Sequence, residues 1–384
     1  MASASDKIPR PVRIAIDVRK LHDYGIGTYV RNLVSWLAKL DGDHEYVLVC
    51  PPRDLEFVRS LGSRFTACEE RAGNYSIQEQ FSIPWALAQA RVDLFHAPHY
   101  VVSPLTRVPF VVTIHDCIHL RFPQYLPNRL AYTYARTMMR TSARRSQRVL
   151  TVSEASRQDI LHYLHVPASK VEVIHNALDE RLATEPTPEA LAEVRGRYQL
   201  ESPFILYAGN IKPHKNLERL VEAYSILRRR GVDHARLLII GDEVSKYPGL
   251  RRLVHRFQLH PHVRFFGFVS DAMLSALYRL ASVFVFPSLY EGFGLPPLEA
   301  MAAGAPVIAS NTSSLPEVVG DAALLVDPMD AGAIADAMAR VLTDTALRND
   351  LIARGHERVK AFSWERSVAR VQAVYEEVGR AQRR

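Results

Sequence analysis

Two glutamates with seven residues between them, Glu291 and Glu299 in EGFGLPPLE, mark the stretch of this 384-residue chain best suited to chemistry. A strand-like run, SVFVFP (Ser282–Pro287), leads into the flexible EGFG of Glu291 to Gly294. LPPLEAMAAG then reads as a short helix, with proline near its first turn and Gly304 as its stop, and PVIAS (Pro306–Ser310) closes the unit as a strand. Glycines there let the backbone approach a ligand, and unspent N–H groups at a helix start accept a phosphate. Carboxylates repel phosphate, so the two glutamates must face other groups. Vicinal sugar hydroxyls donate to a carboxylate, and phosphate amides between two such acids describe a site for a sugar nucleotide. The plainer alternative is a capping acid at Glu299 and a turn at Glu291.

Other candidates are sparser. His115 closes the apolar run PFVVTIHD (Pro109–Asp116). Its place at a strand's carboxyl end beside Asp116 favours a functional histidine over a core one. Gly25-Ile26-Gly27 shares the start of a dinucleotide fingerprint, but Val30 takes the place of the third glycine. Asp41-Gly42-Asp43 matches a metal-binding D-x-D pattern, yet it falls in a polar turn away from strand carboxyl ends and reads as a loop. Cys50, Cys68 and Cys117 are an odd number without metal-ligand spacing. That argues against a disulfide framework or a zinc site and fits a reducing cytoplasm.

Strands must end beside these residues, and the chain supplies them in two series. RIAIDV (Arg13–Val18), EYVLVC (Glu45–Cys50), DLFHAP (Asp93–Pro98), PFVVTIHD, RVLTVS (Arg148–Ser153) and VEVIHN (Val171–Asn176) form the first. Thr28–Leu40 carries apolar residues at helical spacing between the first two. FILYAG (Phe204–Gly209), RLLIIGD (Arg236–Asp242), RFFGFV (Arg264–Val269), SVFVFP, PVIAS and ALLVDP (Ala323–Pro328) form the second. Apolar runs without alternation indicate parallel strands buried on both faces. The proline- and charge-rich Arg181–Pro203 breaks the rhythm and reads as a linker. The expected fold is therefore α/β, with two doubly wound domains whose strand carboxyl ends make a cleft.

EGFGLPPLE resembles the paired-glutamate signature of retaining glycosyltransferase family 4. DYGIGTYVRNL (Asp23–Leu33), IHD (Ile114–Asp116), VSEASRQDI (Val152–Ile160), VIHNALD (Val173–Asp179) and AGNIKPHKNL (Ala208–Leu217) resemble further family segments in the same order, over nearly the full chain. The resemblance implies a GT-B fold, two Rossmann-like doubly wound domains facing a central cleft. Residues 1–190 would be the acceptor domain and 200–365 the nucleotide-sugar domain, with the C-terminal helix of 366–384 packing back on the first. It implies that Glu291 holds hydroxyls of the transferred sugar and Glu299 those of the ribose. Amides around Phe293, Gly294 and Leu295 would hold sugar and phosphate, Lys215 would neutralise the diphosphate, and Gly27 would give it an N–H. His115 would contact the donor sugar near the reacting carbon. Many family members carry arginine where this chain has Asn210, five residues before Lys215. The amide donates hydrogen bonds without charge, and His214 and Lys212 are the candidates to compensate. GNIKPHKN resembles a subgroup with many mannosyltransferases of surface-polysaccharide assembly, which makes GDP-mannose the leading donor. UDP-sugar-dependent glucosyl or N-acetylhexosaminyl transfer is the alternative. The implied reaction is retaining and uses neither metal nor cofactor beyond the donor, and the acceptor is a saccharide or lipid-linked hydroxyl.

Composition and charge narrow the classes further. With 48% hydrophobic and 23% charged residues the chain is an ordinary globular protein. No apolar run approaches the ~20 residues of a membrane span, and the start, MASASDKIPRPVR, lacks the apolar stretch of a secretory signal. The expectation is a cytoplasmic protein. The net charge of +7 is wholly accounted for by seven arginines between Cys117 and Ser153, where no acid occurs. Arg136, Arg140, Arg144 and Arg148 recur every four residues, as one stripe of a helix. A solvated face and contact with anionic lipid or an acidic partner are the competing readings. No recognition motif supports nucleic acid. A dehydrogenase would need an intact G-x-G-x-x-G, a sugar-nucleotide epimerase or hydrolase would turn over donor without acceptor, and a binding module would tolerate loss of Glu291.

Overall fold

The computed structural model describes residues 11–183, 185–200, 203–241 and 247–381. The opening residues 1–10, residues 184, 201 and 202 of the expected linker, and Asp242 of the expected strand lie outside the described residues. The chain divides into two compact units. The first runs to Val152 and takes in Arg157–Ile174 and the chain from Trp364; the second comprises Ser153–Ser156 and His175–Ser363.

In the first unit seven parallel strands are described: β1 (Arg13–Asp17), β2 (Glu45–Cys50), β3 (Phe65–Glu69), β4 (Leu94–Ala97), β5 (Phe110–Thr113), β6 (Arg148–Thr151) and β7 (Val171–Val173). Their order is β3-β2-β1-β4-β5-β6-β7. The second unit has β8 (Phe204–Ala208), β9 (Arg236–Ile240), β10 (Val263–Phe266), β11 (Val283–Phe286), β12 (Val307–Ser310) and β13 (Ala323–Val326), in the order β10-β9-β8-β11-β12-β13. Every residue of β4, β5, β8, β11 and β12 is buried, which is why these strands read as unbroken apolar runs. Each sheet reverses direction once, at β1/β4 and at β8/β11. Chains leaving neighbouring strands at such a point go to opposite faces, so the crevice beyond their carboxyl ends is open to a ligand.

Two expectations are corrected. The stretch expected to be a linker holds the helices Glu180–Ala183 and Pro188–Tyr198, and both belong to the second unit. Thr187 caps the longer helix by accepting from the Ala190 N–H, and Pro188 stands where a helix start needs no N–H. Tyr198 at its end packs edge-on against Phe266, 4.5 Å between centroids. The prolines and charges thus start a helix rather than break one, and the units part at Ile174/His175. Arg148 is also displaced: the basic helix, Arg129–Arg145, stops three residues earlier, and Arg148 opens β6, ion-paired with Glu377. β3 escaped the sequence reading because FTACE is an edge strand with one fully buried position.

The helix Trp364–Ala381 packs on the first unit, where the Tyr375 hydroxyl meets His96 Nδ1 at 2.6 Å. Among the described residues no helix is long and apolar enough to cross a membrane.

Candidate active site

In the second unit the switch point gathers most of the residues singled out from sequence. After β11 the chain forms a tight loop, Pro287 to Gly294, and enters the helix Leu295–Ala302. Gly294 has φ +105°, and a Cβ there would stand 2.7 Å from Leu315 Cδ2, so only glycine fits. Serine hydroxyls hold the loop's carbonyls. Ser314 reaches Phe293 O at 2.7 Å and Glu291 O at 3.0 Å, while Ser153 and Ser156 both donate to Gly292 O, at 2.6 and 3.1 Å. With its carbonyls turned into these hydroxyls, the loop leaves the N–H groups of Phe293, Gly294 and Leu295 without an acceptor among the described residues. Pro296 and Pro297 have no N–H, which confines the helix's donor cluster to that short arc.

Lys215 lies beyond β8, at the end of the turn Pro213–Lys215. Its Nζ is 2.6 Å from Glu291 Oε1, and the two side chains are 11% and 12% exposed. The fold thus brings two predicted residues, 76 apart in sequence, into one nearly buried ion pair. Asn216, in the left-handed region at φ 61°, fixes the distance by donating to Pro287 O and Pro328 O, at 3.0 and 2.7 Å. Asn210 Oδ1 is buried without a partner among the described residues. Of the two candidates to compensate for its missing charge, Lys212 is exposed, whereas His214 is buried and its carbonyl accepts from the Leu289 N–H.

Glu299 projects from the second turn of the same helix. Tyr278, itself buried, donates to its Oε2 at 3.0 Å. Burial pushes the Glu299 carboxyl up to about 7; the Tyr278 bond pulls the other way, Asp179 and Asp271 add to the rise, and Arg181 opposes it. Arg181 is occupied by Asp179 and Asp271, at 2.7 and 2.6 Å, so it neutralises those acids before it reaches Glu299. Tyr278, Ser314 and Ser313, whose Oγ accepts the Glu291 N–H at 3.0 Å, went unnoticed in the sequence, where they are ordinary residues of a helix and a loop.

The first unit holds the other predicted residues. Gly27 stands inside the helix Tyr24–Lys39, where a Cβ would meet Leu21 O at 2.5 Å. The glycine is needed for that close approach. Its N–H is bonded to Asp23 O, so the expected contact from Gly27 to a diphosphate is not available in this arrangement. Helix geometry leaves the first-turn N–H groups of Tyr24, Gly25 and Ile26 as the donors. His115 follows β5, and its Nε2 is 3.0 Å from Pro98 O. A carbonyl only accepts, so Nε2 carries the proton. Burial holds the imidazole down to about 4, with the Pro98 bond opposing and Lys20 adding to the fall. The Tyr29 ring packs edge-on against it, 4.9 Å between centroids. Behind Tyr29 runs a buried chain: Tyr29 Oη to Thr113 Oγ1 at 3.2 Å, Thr113 to His96 Nε2 at 2.7 Å, and His96 to Tyr375. Asp116 receives the Ile118 N–H at 2.9 Å and caps the turn that follows.

A glycine-bent loop with unspent amides, a lysine–glutamate pair and the carboxylate of Glu299 on the following short helix thus lie together at the carboxyl ends of β8 and β11. Comparison with known proteins identifies the family. Residues 24–182 match the model of Glycosyltransferase Family 4, and residues 168–358 match that of Glycosyl transferases group 1. An O-antigen chain mannosyltransferase B of Escherichia coli is 36% identical over 283 residues, 73% of each chain. A serotype-specific mannosyltransferase, WbdA, of the same species is 33% identical over 70% of this chain, which spans 34% of that enzyme's length. In three dimensions the chain resembles a sucrose-phosphate synthase from Thermosynechococcus elongatus, with a TM-score of 0.77 and 23% identity over 96% of this chain and 100% of the other. The chain belongs to glycosyltransferase family 4, with the GT-B fold of two Rossmann-like domains, and is a hexosyltransferase.

Proposed function

We propose that the enzyme transfers mannose from GDP-mannose to a hydroxyl of a saccharide or lipid-linked acceptor, retaining the anomeric configuration and using no metal ion. The observation that carries this reading is the Lys215–Glu291 pair beside the unspent amides of Phe293 to Leu295. An ammonium has three N–H donors, so Lys215 can keep one on Glu291 and turn the others to the diphosphate. Glu291 Oε2 then accepts from a hydroxyl of the sugar, and Glu299, eight residues on, takes the ribose hydroxyls. As the anomeric C–O bond to phosphate breaks, charge grows on the leaving oxygen. Lys215 and the loop amides are already oriented towards it, which is electrostatic preorganisation. The acceptor oxygen attacks from the face the diphosphate leaves, and the departing phosphate oxygen takes its proton. His115, neutral above about pH 4, contributes polar contact rather than charge.

The choice of mannose and of polysaccharide assembly is supported by the two Escherichia coli mannosyltransferases that the chain resembles. The same reading places the enzyme in the cytoplasm with peripheral contact to an anionic membrane. Arg136 and Arg144 are the exposed members of the expected stripe, Arg140 is half-buried, and Arg148 drops out. Incubation with GDP-mannose, UDP-glucose, UDP-N-acetylglucosamine and UDP-galactose tests the donor. Mannose transfer with an α-anomer product by NMR is the expected result. Preference for a UDP-sugar, an inverted anomer, or donor turnover unaffected by any acceptor would overturn the reading.

A further inference from the structure

The first unit leaves an apolar face uncovered. Ile77, Phe81 and Trp85 are 82%, 63% and 66% exposed, where side chains of this size are ordinarily in the core. They recur every four residues along helix Glu79–Ala90 and the turn that leads into it, so they form one line. The opposite side of the same helix buries Ile83 and Leu87 in the core cluster that also holds Met138, Met139 and Ala143 of the basic helix. Both helices therefore cover the same face of the sheet. Leu105, 52% exposed, extends the patch: it lines a shallow groove with Trp85 and Arg107. The two surfaces meet at that loop, because Arg145 donates to Pro104 O and Thr106 O, each at 2.7 Å, on either side of Leu105.

The charge around the patch is one-sided. Between Gly73 and Ser153 the acids are Glu79, Asp93 and Asp116. Glu79 is buried on Arg19, Asp93 accepts the Arg13 N–H, and Asp116 accepts that of Ile118. Two arginines of the same segment stand at the Trp85–Leu105 end of the apolar line: Arg107 lines the groove, and Arg145 holds the loop on either side of Leu105. Aromatic and aliphatic side chains beside arginines, without opposing carboxylates, suit the boundary of headgroups and acyl chains in an anionic bilayer.

We propose that Ile77, Phe81, Trp85 and Leu105 insert into the surface of an anionic membrane, with Arg107 and Arg145 on its headgroups. This rests on the peripheral contact proposed above and adds the element that enters the lipid. Trp85 is its own reporter, since Trp364 is buried and Trp36 half-buried. The full chain is titrated with vesicles of phosphatidylcholine alone and of phosphatidylcholine with one quarter phosphatidylglycerol. With the anionic vesicles, tryptophan emission should shift to the blue and be quenched by brominated acyl chains; with neutral ones it should not. I77Q/F81Q should lower vesicle affinity at least ~10-fold, because two large apolar side chains no longer enter the acyl region, while hydrolysis of free donor is unchanged. Vesicle binding without quenching, and equal for I77Q/F81Q, would overturn the insertion and leave the arginine contact standing. No binding to either vesicle would overturn both. A dimer in vesicle-free sedimentation that I77Q/F81Q dissolves would make the patch an interface between copies and overturn the proposal.

Discussion

Lys215→Met removes the ammonium from Glu291 while keeping most of the apolar stem. At 2.6 Å, with an effective dielectric of about 20, the pair's attraction is ~6 kcal/mol, most of it offset by the cost of taking both charges from water. Breaking such a pair from one side costs about 3–5 kcal/mol, because the remaining charge stays buried without a partner. Since both side chains keep about a tenth of their exposure, water softens the loss, and the lower end, about 3 kcal/mol, is expected. For a unit of this size that lowers the melting temperature by roughly 6–12 °C, read by scanning calorimetry. Glu291→Ala should destabilise similarly, with turnover cut at least ~100-fold, since a sugar displaced by about 1 Å loses that much. The double variant has no orphan charge, so it should melt well above the sum of the two losses, yet stay inactive. Additive melting losses would refute the pairing. A Lys215→Met or Glu291→Ala enzyme that keeps most of its turnover would refute the roles built on it.

Glu299→Ala should mainly raise the Michaelis constant for donor, because ribose contacts are remote from the bond that breaks. With the carboxyl pushed up to about 7, donor affinity of the parent should fall as pH drops through that value, and Glu299→Gln should flatten the profile. The same rise means the folded state holds the proton more tightly: this group favours folding fully below its ordinary 4.5, and the contribution is lost as pH rises through about 7. His96 and His115 have the opposite sign. Burial holds them down to about 3 and about 4, so their contribution is full above 6.5 and is lost on acidification through those values. Acid melting curves should show this limb, and His96→Gln should flatten it. Gly294→Ala should weaken donor binding at unchanged pH dependence, since φ +105° strains any side chain and Leu315 blocks the space. Activity should survive excess EDTA, because Lys215 and the loop amides supply the positive charge the diphosphate needs. Loss that only Mn²⁺ or Mg²⁺ restores would count against this and direct attention to Asp41 and Asp43.

The strands, the glycine-bent loop and the paired glutamates were legible in the chain because each depends on neighbours in sequence. Apolar runs of four to six residues, bounded by turn residues and repeated along the chain, are the pattern of strands buried on both faces of a parallel sheet. Gly294 and the prolines after it mark a local bend, although the serine hydroxyls that hold it come from distant parts of the chain. Where a role depended on distance, the sequence was silent. Nothing in it pairs Lys215 with Glu291 or sets Tyr278 on Glu299, and it contains no sign that Gly27 spends its N–H on Asp23. The expected linker folds as a helix because Phe266 and Met273, far along the chain, receive Tyr198. The four-residue rhythm of arginines was real, but the helix ends at Arg145, so the fourth member fell to a strand. The exposure of Phe81 and Trp85 could not be read either, since an aromatic at helical spacing ordinarily marks a core. Period and composition say which residues can share a face. Only the packed sheet decides which face is covered, which carboxylate meets a lysine and which is pushed up by burial, because desolvation and charge pairing act between residues the chain has brought together.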